Sequence, residues 1–135
     1  TLNYDYFQLA ASQSAFFDYT FPAGWDEGTI TFRPEWTAIA GSGTFIVGLQ
    51  GVSLGDGVAL DTAYGTLVNV TDTLLSASQV HVGPASAAIT IAGTPTAGKK
   101  TYFRLTRSGA DGLGGQEVRL LGLVLIYTRA SYSDA

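Results

Sequence analysis

The sequence predicts an all-β fold: a single antiparallel β-sandwich, jelly-roll-like, of about eight or nine strands. Three observations carry this. Apolar residues recur with period two along most of the 135 residues, as half-buried strands require. Gly, Pro, Ser and Asp break the alternation about every 8–12 residues, the spacing of turns between short strands. Charged residues are only 13% and Gly numbers 17, against about 25% charged residues in an ordinary domain. Little remains from which to build a solvated helix.

Each element follows from its own pattern. Residues 2–21 are aromatic-rich and read as two strands joined around residues 11–14. In residues 29–37, Ile30, Phe32, Pro34 and Trp36 share one face, and Thr31, Arg33, Glu35 and Thr37 the other. Pro34 donates no ladder hydrogen bond, so this strand is expected at an edge or with a bulge there. Residues 44–54 set Phe45, Val47 and Leu49 against Ile46, Gly48, Gln50 and Val52. A turn of helix is expected near residues 61–64, with Asp61 as its cap. Further strands are expected at 65–75, 80–82, 87–92 and 100–107, where Tyr102 and Arg104 oppose Phe103 and Leu105. Residues 117–129 are apolar on both faces, which suits a central strand or one buried between copies.

Composition narrows the function. A length of 135 residues suits one domain, residues 1–135, with no linker, repeat or low-complexity tract. The net charge of −4 argues against a nucleic-acid partner. Residues 36–55 are uncharged but broken by Thr, Ser, Gln and Gly, unlike the roughly 20 apolar residues of a membrane span. The chain is therefore read as soluble, with no membrane partner. With no Cys, there is no disulfide, thiolate nucleophile or cysteine zinc site. Charge is uneven: residues 1–90 hold eight acidic side chains and one basic, and residues 91–135 hold six basic and three acidic. Opposite charges meet either within one sandwich or between neighbouring copies.

No constellation of reactive residues emerges, so no catalytic residue, metal ligand or cofactor is assigned. His81 is the one histidine, flanked by Val80 and Val82 on a strand, with no nucleophile elbow before it. Nothing brings two of Asp26, Glu27, Glu35, Asp56, Asp61 and Asp72 together as a glycosidase pair. Residues 109–115 are glycine-rich without the Lys-Ser/Thr of a phosphate loop, and read as a mobile surface loop. Aromatic rings are the remaining candidates for ligand contact. Trp36 shares the Ile30–Phe32 face and reads as core. Trp25 follows Pro22-Ala23-Gly24 in a loop and, with Tyr64, is the ring to test for stacking on a sugar. In the last strand, Leu121, Leu123, Leu125 and Tyr127 are the candidate subunit interface. Burying such residues between copies is worth at most about 1.5–3 kcal/mol per side chain.

Several strings are familiar together and in this order. Phe21-Pro22-Ala23-Gly24-Trp25-Asp26-Glu27-Gly28-Thr29-Ile30-Thr31-Phe32 leads into Pro34-Glu35-Trp36-Thr37. Val47-Gly48-Leu49-Gln50-Gly51-Val52, Ala59-Leu60-Asp61-Thr62-Ala63-Tyr64-Gly65-Thr66 and Val70-Thr71-Asp72-Thr73 follow. Ala88-Ile89-Thr90-Ile91-Ala92-Gly93-Thr94-Pro95-Thr96-Ala97-Gly98 precedes a Tyr-Phe-Arg-Leu strand, and Arg119-Leu120-Leu121-Gly122-Leu123 closes the series. Over residues 15–128 this series resembles a family of small structural proteins of tailed bacteriophages. The resemblance implies a non-enzymatic virion component, a capsid decoration or head-fibre domain, or a domain of a tail or receptor-binding structure. It implies a homo-oligomer, most often a trimer, with other virion proteins such as the major capsid protein as partners. It transfers no catalytic residue. Members often carry N-terminal material before the first aromatic strand, so an anchor to the particle is expected to be missing here. The alternative function is recognition of a host-surface glycan or receptor by a phage tail or fibre; a polysaccharide-cleaving enzyme is the third.

Overall fold

The computed structural model describes residues 4–130. Nine strands form: β1 (Phe7–Leu9), β2 (Ser14–Thr20), β3 (Thr31–Ala38), β4 (Gly43–Ser53), β5 (Val68–Leu74), β6 (His81–Val82), β7 (Ala92–Gly93), β8 (Lys100–Arg107) and β9 (Val118–Ile126). No helix occurs among the described residues. Residues 59–62 form a hydrogen-bonded turn, closed by the Thr62 amide and hydroxyl donating to Ala59 O. That turn stands where a helical one was expected, and Asp61 does not cap it.

The strands make two sheets, ordered β1-β9-β3-β6 and β2-β8-β4-β5. Setting β7 aside, the first strand pairs with the last, the second with the second last, and so inward to β4 with β5. This is one long hairpin rolled up, the jelly-roll plan. Among the described residues, the one parallel pairing is β7 on the end of β4, Val52 to Ala92 and Ser53 to Gly93. The strand expected at 87–92 is reduced to β7 and a single bridge between Ile30 and Ile89.

Pro34 lies in a strand paired on both sides, yet the ladder tolerates it. A strand residue's N and O point to the same edge, and Pro34 O accepts from the Gly83 amide on the β6 side. β6 ends at Val82, so the missing donor falls where the partner strand stops. The irregularity on β3 comes between Glu35 and Trp36, where β9 skips Leu121.

The core lies between the sheets and follows the alternation. Phe32 and Trp36 from β3 face Phe45, Val47 and Leu49 from β4 and Phe103 and Leu105 from β8, all fully or almost fully buried. Trp36 packs tilted against Phe45, ring centres 4.7 Å apart, and its indole N–H donates to Asp72 Oδ2 at 2.8 Å across the sandwich. His81 is buried beside Trp36. Its Nε2 accepts from the Leu75 amide and its Nδ1 lies 2.8 Å from Gln79 O. Those partners assign the neutral Nδ1–H tautomer, and both ring nitrogens serve the fold.

Candidate functional site

Beyond the three pairs that β1 makes with residues 118–120, the β9 edge at residues 121–126 has no strand beside it among the described residues. Just before β1 the chain climbs onto the outer face of the sheet. There the Arg119 guanidinium donates to the Tyr4 hydroxyl at 2.8 Å, bonds to Glu117, and covers the Tyr6 ring at 4.3 Å. Glu117 and Tyr4 also strengthen its hold on the proton, raising its pKa. This clamp draws residues 4–6 off the sheet edge.

Sheet order makes β2 the edge strand of the opposite sheet on the same flank. Between the two bare edges runs a trough of about 580 Å³, with Asp18 the one charged residue among its lining. Ala15, Phe17 and Tyr19 from β2 and Leu105 from β8 form one wall, Leu120, Leu123, Leu125 and Tyr127 the other, and Phe7 one end. Burial, then the neighbouring Tyr127 hydroxyl, pushes the Tyr19 phenol above its ordinary pKa.

The bulge at Leu121 decides which residues line this trough. Val118 and Leu120 point inward; one residue is then skipped, and Leu123, Leu125 and Tyr127 point inward in turn. Val124 and Ile126 therefore face out, 40% and 41% exposed. Three of the four interface candidates, Leu123, Leu125 and Tyr127, thus stand together. Leu121 does not join them. It lines a separate outer cleft of about 560 Å³ with Tyr4, Thr37 and Val80.

Trp25, expected in a surface loop, is 2% exposed. Phe21 stacks on it at 4.3 Å, and Tyr127 stands edge-on to Phe21 at 5.2 Å. Its backbone pairs with Arg129, which carries this loop under the end of the sandwich. A ring so covered is not open to a sugar, and this corrects the sequence expectation. Tyr64 is half-buried beside Gly65, whose amide bonds to Gly51 O. It is not brought near Trp25 in any of the clefts.

The glycine-rich segment 109–115 is a second correction, for it is pinned. Arg107 and Asp111 form a fully buried ion pair at 2.9 Å. Arg107 also donates to Leu9 O, Gln116 O and Gly114 O. Asp111 accepts from the amides of Ile46, Leu113 and Gly114. Burial pushes the Asp111 carboxyl up, but the bond from Arg107, the Ile46 amide, the Arg107 charge and the Leu113 amide outweigh it and hold it below the ordinary range. Sequence reasoning missed this pair, although one signal was present. Arg107 falls in phase with the inward Phe103 and Leu105, and a carboxylate follows four residues later. Among the described residues, no three His, Cys, Asp or Glu side chains gather as a metal site.

No family model and no curated protein matches the chain. Among solved structures, one of infectious bursal disease virus, Gx strain, aligns over 96% of this chain at 13% identity, with a TM-score of 0.39. Another, of the Gt strain, aligns over 91% at 10% identity, with a TM-score of 0.40. The chain spans about one third of the length of either, 34% and 33%.

Proposed function

We propose that this chain is a non-enzymatic structural protein of a bacteriophage virion, a capsid decoration or head-fibre domain that acts by assembling with copies of itself. One observation supports this best: the open flank, where a wide apolar trough lies between two bare sheet edges. Contiguous apolar surface of that kind marks an interface, and an uncovered apolar edge in an isolated molecule invites uncontrolled pairing. The ordered strings of residues 15–128 point to the phage class, and with it to a trimer docked on other virion proteins such as the major capsid protein. Leu123, Leu125 and Tyr127 are the interface residues in this reading. Recognition of a host glycan, the alternative, loses Trp25 as its stacking ring and keeps only Tyr64.

Native mass spectrometry of the purified protein at micromolar concentration tests this reading. The expected species is a trimer. A stable monomer under those conditions overturns it.

A further inference from the structure

We propose that β9 of one copy is extended by β2 of the next, the edge of Ser14–Thr20 adding along residues 121–126 so that the two sheets run on from copy to copy. This rests on the reading that the chain works through assembly, and it identifies the surface that each copy offers. Among the described residues, the two free edges lie on one flank, one in each sheet, six and seven residues long. Exposed edges are ordinarily guarded by charge, Pro or a covering segment. Residues 120–128 of β9 and its exit contain neither charge nor Pro.

The outer faces supply the argument for the occupant. Phe16 on β2 is 68% exposed, and Val124 and Ile126 on β9 are about 40% exposed. In one copy they belong to strands of opposite sheets, and Phe16 and Val124 both border the trough. When β2 of a second copy lies against β9, its Phe16 comes beside Val124 and Ile126. On the inner side, Ala15 and Phe17 of the second copy come beside Leu123 and Leu125, closing the trough. Pairing β9 with β9 about a twofold axis leaves Phe16 in water. Joining β9 of one copy to β2 of the next uses two different edges; repeated head to tail the contact is heterologous and makes a ring where the rotation closes, and its backbone hydrogen bonds are those of strand addition.

The chain has no cysteine, so cross-linking tests this on a clean background. Phe16→Cys and Val124→Cys chains, co-expressed and oxidised, are expected to give the mixed disulfide as the main covalent dimer. Amides of residues 121–126 in the wild-type oligomer are expected to exchange at least about tenfold more slowly than in a Val124→Lys monomer. An intact oligomer whose 121–126 amides exchange as fast as in that monomer overturns the inference and leaves the assembly reading standing. So does Val124→Cys linking only to itself. A wild-type monomer defeats the assembly reading and the inference with it.

Discussion

At the scale of single residues, two side chains show how this fold meets its polar obligations without disulfides. Arg107 and Asp111 satisfy one another and six backbone groups inside the protein. Removing one partner of a buried pair strands the other charge. Arg107→Met is expected to lose about 3–5 kcal/mol in urea unfolding, and to release residues 109–115 to proteolysis. The pair also has a pH signature. The folded carboxyl of Asp111 titrates below its ordinary value of 3.8, so its stabilisation is present above that pH. It is lost as pH falls from there through the folded value. The stability gap between wild type and Asp111→Asn, followed by urea unfolding, is expected to narrow below about pH 4. Trp25 behaves in the opposite way, because its indole N–H has no hydrogen-bond partner. Trp25→Phe is expected to cost little, whereas Trp25→Ala costs about 3–5 kcal/mol by thermal unfolding. Its burial was hidden from the sequence. A Trp after Pro-Ala-Gly has the local features of a loop, and only the distant bridge to Arg129 folds it under.

At the scale of elements, the strands were legible where alternation ran long, as in β3, β4 and β8. There Phe32 and Trp36, Phe45, Val47 and Leu49, and Phe103 and Leu105 all take the inward side. β9 was legible as a strand but not in its phase. Its residues 120–126 are apolar on both faces apart from Gly122, so alternation held no clue that Leu121 is skipped. That skip separates Leu121 from Leu123, Leu125 and Tyr127. β1 shrank to three residues because the Arg119 clamp competes with the ladder, and a contact between residues 4 and 119 leaves no local trace. The outward position of Val124 makes it a selective probe. Val124→Lys is expected to leave the fold intact by circular dichroism and reduce the oligomer to monomers in native mass spectrometry. Leu75→Lys, at an exposed site in the segment after β5 (83% exposed), is expected to leave the oligomer unchanged.

At the scale of the whole molecule, the two flanks of the sandwich differ. β6 and β5 end the sheets on the far side, while β2 and the bare part of β9 leave the near side apolar. A partner that binds only the folded state stabilises it by mass action. The melting temperature is therefore expected to rise with protein concentration in scanning calorimetry, and in Val124→Lys to be lower and independent of it. Because the trough holds a single charge, Asp18, added salt is expected to leave the oligomer in place, unlike an assembly held by surface ion pairs.

The sequence by itself determined the class of fold and most of the core, because side-chain alternation and turn residues are local properties of the chain. The order of the strands also follows a simple rule, the rolled hairpin, once eight of them are recognised. Only the tertiary structure decided where the molecule is open. The length of β1, the skip at Leu121, the covering of Trp25 and the buried Arg107–Asp111 pair each depend on contacts between segments far apart in the chain or on the choice between two apolar faces. Neither is written in any short stretch of residues.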